Sequence, residues 1–354
     1  MIVSFTRCCR ERQPSLASFD YCEFPQMLKT VLKGSLDWVP SEVVARYWQP
    51  VLNYHACFEA PPRQVTPVDN ITPHLLREHL TSLKRHFTFL TIDEFAEAKT
   101  ACRIAALTFD DGYQAVLDNA FPICEDLDIP LAVFMITSSL ANKLFWRHKV
   151  VHIVEQGLSG EFEAYAKSIR KIEGLTLYQY LKHPANCSVD VEAEVDSFWE
   201  ARRLTLSTGS LMVASENNLK RHPLVTYGNH SHNHYVLSSL NFDQQYAEIH
   251  TAHKRLHAIP GIQISRVFSP PFGQTHHVNC DTLTIVRELG YKSILLNRGL
   301  LNHMPLERWR SLAVVERFSP SNKPIKSQLN REALRGLAKG LILPKVELDA
   351  CPPL

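Results

Sequence analysis

The chain has 354 residues, 45% of them hydrophobic, enough to bury one large core or two modest ones. Its 38 basic residues nearly balance 36 acidic ones, and a formal net charge of +2 gives no support to nucleic-acid binding as the main task. Nine scattered cysteines without a CxxC pair argue against a zinc–thiolate site and suit the reduced thiols of a cytosolic protein. No apolar run approaches the roughly 18 residues needed to span a bilayer. The opening "MIVSFTRCCRERQPS" lacks the apolar segment of a secretory signal, so a cytoplasmic location is expected.

Residues 1–48 show no clear periodicity and read as an N-terminal extension. "QPVLNYHACF" (49–58) reads as a short buried strand ending in Tyr54 and His55. "TPHLLREHLTSLKRHF" (72–87) starts a helix at Thr72 with Pro73 in its first position, and Leu76, Leu80, Leu83 and Phe87 share a face. "IAALTF" (104–109) is an unalternating strand that runs into two adjacent carboxylates, Asp110 and Asp111. A helix over 113–127 and a second unalternating strand over 129–137 follow. The stretch 141–205 is charged and helical in pattern and reads as an insertion. "HPLVTYGNHSHNH" (222–234) resumes the strand rhythm. Next comes a helix over 242–257 with Phe242, Tyr246, Ile249, His253 and Leu256 inward. Strands over 265–273, 291–297 and 311–318 complete the pattern, with a helix closed by Gly290 before the second of them. About seven strands linked through helices predict an α/β fold, a distorted (β/α)7-type barrel of parallel strands with an inserted helical segment. The barrel spans 49–320 and leaves 321–354 as a C-terminal tail.

Two carboxylates at the end of a buried strand repel each other, and burial makes both charges costly. A bound cation resolves that, and "GNHSHNH" offers its other ligands. His230 and His234 lie four residues apart, immediately after a strand. Neutral imidazoles with a carboxylate make a common set for a catalytic divalent ion. In a barrel both strand ends open on one face, where active sites lie.

"TFDDG" (108–112) and "HSHNH" (230–234) resemble the first two motifs of the polysaccharide deacetylases of the NodB-homology type, carbohydrate esterase family 4. "FSPPFG" (268–273) resembles their third. The resemblance implies that Asp111, His230 and His234 hold a divalent metal while Asp110 is the general base. It implies amide hydrolysis on an N-acetylated sugar of a glycan or glycan precursor, with the backbone N–H of Phe272 as an oxyanion donor and Gly273 permitting the tight turn. Ser231 orients the histidine loop. Zinc is expected from two imidazoles and one carboxylate, with Co2+ or Ni2+ able to substitute.

Three family features are missing. The arginine that opens motif three is Ser269, the Asp-Trp pair of motif four is absent, and the late Leu-x-His is replaced by residues around Leu312–Val314. Amide cleavage needs an acid for the leaving amine. His55 is favoured over His303, and Arg310 is the candidate replacement for the arginine. The expected partner is an N-acetylated carbohydrate, with neither nucleic acid nor a transmembrane segment involved. The same site suits a ureide or cyclic imide, and the missing motifs suit a carbohydrate-binding protein that has lost catalysis.

Overall fold

The structure is a computed structural model, and it describes residues 41–99, 102–206 and 211–342. Helix α1 (Ser41–Tyr47) leads into β1 (Val51–Tyr54). Helix α2 (Pro73–Lys84) is capped by the Thr72 hydroxyl, which accepts from the Leu75 N–H. Then come β2 (Thr88–Phe89), α3 (Ile92–Glu97) and β3 (Ile104–Phe109). A π-type turn over Val116–Ala120 runs into α4 (Phe121–Asp126), where a regular helix over 113–127 was expected. After β4 (Leu131–Met135), the stretch 141–205 folds as α5 (Trp146–Glu155), α6 (Ser159–Tyr165), α7 (Leu177–Leu181) and α8 (Ser188–Ala201). The chain continues through β5 (Val225–Asn229), α9 (Phe242–His257), β6 (Gln263–Phe268), α10 (Cys280–Glu288) and β7 (Ser293–Leu296). It ends with β8 (Arg308–Trp309), β9 (Leu312–Glu316) and α11 (Ile325–Ile342).

The sheet runs β1-β3-β4-β5-β6-β7-β9-β8, with β2 beside β3. Seven strands in succession, from β1 to β9, pair in parallel, and only the two-residue β8 is antiparallel. Beyond β9, Phe318 bridges back to Leu52 of β1, so the sheet curls until its first and last parallel strands meet. This is the expected distorted barrel. The strands β1, β3, β4, β7 and β9 are buried along their whole length, because helices or the barrel interior cover both faces. Parallel order places all seven carboxyl ends on one rim.

Helix α9 corrects an expectation. Phe242 and Tyr246 are exposed, and the buried face carries Gln245, Glu248, Ile249, Ala252 and Leu256. Gln245 donates to the Leu240 carbonyl and accepts from the Thr282 hydroxyl, while Glu248 binds Asn233 beside the histidine loop. The helix thus turns polar groups inward to hold loops. Cys57, Cys102, Cys124 and Cys187 are free thiols, whereas Cys280 is disulfide-bonded, against the expectation of reduced thiols throughout. No helix among the described residues is long and apolar enough to cross a membrane.

Candidate metal centre

The motif loops leave the carboxyl ends of β3, β5 and β6, and each bends through left-handed backbone. Asp111 (φ 71), Ser231 (φ 64), His234 (φ 63) and Phe272 (φ 64) all adopt this conformation without being glycine. Such residues cost about 1–3 kcal/mol each and persist only where the surroundings over-determine them. Two glycines complete the bends. A Cβ on Gly112 would stand 2.8 Å from the Met135 sulfur, and one on Gly273 2.9 Å from Asn297 Cβ. Asn229, anchored by the Ile249 carbonyl and the Tyr291 hydroxyl, receives the Ser231 N–H, and the Ser231 hydroxyl in turn accepts from the His234 N–H.

These bends aim three side chains at one point. Asp111 Oδ1 lies 3.5 Å from His230 Nε2 and 3.3 Å from His234 Nε2. One ligand atom of each residue falls within 4.8 Å of the others, the single such cluster among the described residues. His230 Nδ1 is 2.7 Å from the Ser269 carbonyl, so that nitrogen carries the proton and Nε2 presents its lone pair. Asp111 Oδ1 and His234 Nδ1 are buried without a hydrogen-bond partner. Burial holds the His234 imidazole neutral, well below its usual range, aided by His230 and Arg147. Burial pushes the Asp111 carboxyl up, but His230, His234, Arg147 and His55 outweigh it and hold the group well below the carboxylate range. An ionised carboxylate, the neutral His234 imidazole and a second imidazole whose Nε2 faces them, with two atoms of the trio orphaned, fit a divalent cation.

Asp110 is positioned differently. Its carboxylate accepts a bidentate pair from Arg317, Nη1 to Oδ1 and Nη2 to Oδ2, both 2.8 Å. The Ser269 hydroxyl donates to Oδ1 at 3.2 Å and accepts from Arg317 Nη2 at 3.0 Å. Arg317 is only 1% exposed, and its Nη1 also reaches Asn53 at 3.0 Å. Burial alone would raise the Asp110 carboxyl, but Arg317 and His230 bring it down to about 2. Sequence reading missed Arg317. It follows β9 and lies buried beside the small Ser269, whose hydroxyl it meets. Arg310 does not take this place, because it lies between β8 and β9 at the amino end of the strand whose other end carries Arg317.

His55 ends β1 on the same rim, with Nδ1 4.0 Å from Asp69 Oδ1. His303 stands at the opposite end. Its ring packs on Trp48, and its neighbour Asn302 bridges to Gln49 ahead of β1. The Phe272 ring packs 4.6 Å from that of His234, and among the described residues nothing accepts from the Phe272 N–H. The insertion contributes Arg147, also missed. Its Nη1 is 3.4 Å from Asp111 Oδ2, its Nη2 3.5 Å from Asp69, and its Nε donates to the Tyr178 hydroxyl at 2.5 Å. The signal was present in "FWRHKVV", where α5 begins beside the rim, but nothing in its spacing names Asp111 as partner.

A parallel barrel with a buried Asp-His-His cluster and a second oriented carboxylate at its carboxyl rim is the framework of a hydrolase. The family model described as polysaccharide deacetylase matches residues 97–177 and 216–294. Over those two segments the chain is a divergent match to that family, which places it with the hydrolases that cleave carbon–nitrogen bonds other than peptide bonds. No curated protein matches the sequence. Among solved structures, the Streptococcus pyogenes deacetylase PplD in complex with acetate is similar at 16% identity and TM-score 0.47, covering 83% of this chain and 98% of that one. IcaB from Ammonifex degensii is similar at 16% identity and TM-score 0.47, covering 80% and 97%. A Bacillus cereus polysaccharide deacetylase has 16% identity and TM-score 0.48, covering 80% and 69%.

Proposed function

We propose that the protein is a metal-dependent deacetylase of an N-acetylated sugar in a glycan or glycan precursor, with Asp111, His230 and His234 holding the cation. The observation that carries this is the buried trio with an unpartnered Asp111 Oδ1, set beside a carboxylate that a guanidinium holds ionised. When bound, a divalent ion supplies Lewis-acid chemistry, polarising an acyl oxygen and acidifying water. The other parts fall to the chain's own groups. Asp110, clamped by Arg317 and Ser269, keeps a fixed lone pair to accept the proton of the attacking water. The Phe272 N–H donates to the oxygen that gains charge as the carbonyl becomes tetrahedral. His55, held near Asp69, delivers a proton to the leaving amine so that acetate and a free amino sugar depart. The insertion borders the cleft through Arg147 and Tyr178 and shapes the substrate groove.

The zinc form is the expected one, with Co2+ or Ni2+ competent at the same donors. The test combines metal analysis of the purified protein with acetate release from N-acetylated oligosaccharides, before and after chelation. Acetate release that survives complete removal of metal would defeat the reading.

A further inference from the structure

Two cations from the insertion share one pair of aromatic rings at the edge of the metal centre. Arg147 Cζ lies 5.6 Å from the centre of the Phe272 ring and 5.5 Å from that of Tyr178. Lys182 Nζ lies 5.7 Å and 4.9 Å from the same two rings. Arg147 has its counter-charges in Asp111 and Asp69. Lys182 has none at contact distance among the described residues, and the carboxylate that acts on it, Asp69, is already shared by Arg147 and His55. Burial and the neighbouring guanidinium both press the Lys182 ammonium towards losing its proton. His183 and His276 stand within electrostatic reach of one another and of Lys182, and they press the buried His277 down in the same way.

Lys182 has no carboxylate of its own in this arrangement, because Asp69 is shared with Arg147 and His55 and Asp111 belongs to the trio with His230 and His234. Cation–π contact offsets part of the cost of a half-buried ammonium, but ring faces carry no net charge. An anion arriving beside Lys182 would relieve both its desolvation and its repulsion from Arg147. The Phe272 ring contacts both Lys182 and the His234 ring. A group held at Lys182 therefore sits about one ring away from the place where the acetamide is cleaved.

We propose that Lys182, backed by Arg147 and flanked by His183 and His276, is a subsite for an oxyanion of the substrate. The acetamido sugar that enters then carries a carboxylate or a phosphate on itself or on its immediate neighbour. This deepens the deacetylase reading and rests on it for the location of the scissile bond.

The full chain is assayed with N-acetylglucosamine, its 6-phosphate, and N-acetylmuramic acid. Binding is measured by calorimetry on the metal-stripped protein, and acetate release on the metal-loaded protein. At low salt at least one charged probe binds about tenfold tighter than the neutral one, and the advantage shrinks as ionic strength rises. Lys182→Gln collapses the ratio of charged to neutral binding, and Lys182→Arg retains it, circular dichroism checking that both variants fold. The phosphate and carboxylate arms tell which anion is meant. Equal binding of charged and neutral probes, no binding of any probe, or a ratio untouched in Lys182→Gln overturns the subsite. Lys182-dependent binding without acetate release leaves the subsite standing and defeats the deacetylase reading. Acetate release that ignores both charge and Lys182 does the reverse.

Discussion

Replacing Arg317 by Met tests the clamp on Asp110 most directly. The variant keeps an apolar side chain in a site that is 1% exposed but removes both 2.8 Å bonds to Asp110 and those to Ser269 and Asn53. Breaking a buried pair by deleting one partner costs about 3–5 kcal/mol, because the remaining charge is left uncompensated. In a barrel of this size that lowers Tm by on the order of 10 °C. The linkage has a sign that can be checked. In the native protein the Asp110 carboxyl falls from 3.8 to about 2, so its contribution, about 2 kcal/mol, is complete above the unfolded value and fades as pH drops through the folded one. Without Arg317, burial raises the carboxyl instead, and ionising it becomes a cost present above the unfolded pKa. The variant is therefore less destabilised at pH 4 than at pH 7, and the acidic limb of its acetate-release profile moves to higher pH. Arg317→Lys recovers charge but not the two-pronged geometry, and regains part of both. Combining Arg317→Met with Asp110→Asn costs less stability than the two single changes added together. An Arg317→Met protein with native Tm and an unmoved acidic limb would refute the clamp.

The two aspartates should separate by metal content: Asp111→Asn loses bound divalent metal, by more than the roughly 10–100-fold that outer-sphere changes cause, while Asp110→Asn retains metal and loses turnover. Reversed behaviour in metal analysis would exchange their roles. His55→Ala lowers kcat by about 100-fold or more with metal content intact, and unchanged turnover would remove His55 from the reaction. Gly273→Ala places a Cβ 2.9 Å from Asn297 Cβ at φ +65, so it destabilises by about 1–3 kcal/mol and perturbs the Phe272 N–H. A melting curve equal to that of the native protein would show that the loop relaxes freely.

The strands were legible because parallel strands covered on both faces lose alternation and become short apolar runs, as in "IAALTF" and "LAVFM". The Asp111–His230–His234 cluster was legible because its residues stand in two tight local motifs. The two-residue strands β2 and β8 carry no period to read. The inward face of α9 was misread because the rule assumes apolar burial, whereas this helix buries Gln245 and Glu248 to brace loops. Arg317 and Arg147 were invisible as site residues for a different reason. Their partners lie 207 and 36 residues away, and an ion pair closed only by the tertiary fold leaves no trace in local spacing.

The departures from the family pattern follow a common logic once the ring of strands is considered. Asp110 takes its guanidinium from Arg317, which follows β9 and is buried in the barrel. Where the resemblance leads one to expect an arginine at the end of β6, the small Ser269 donates to Asp110, accepts from Arg317 at the end of β9 and orients His230 through its carbonyl. The same reasoning bears on the missing Leu-x-His of the last strand. Phe318, just beyond β9, pairs with Leu52, so β1 is the neighbour of β9 around the ring, and a histidine ending β1 stands one strand from the lost position. Arg317 and His55 thus both stand on the carboxyl rim, at the ends of β9 and β1. If His55→Ala loses turnover as expected, a chain of this fold can change which strand supplies a rim group and keep the group, because all seven parallel strands end on one rim.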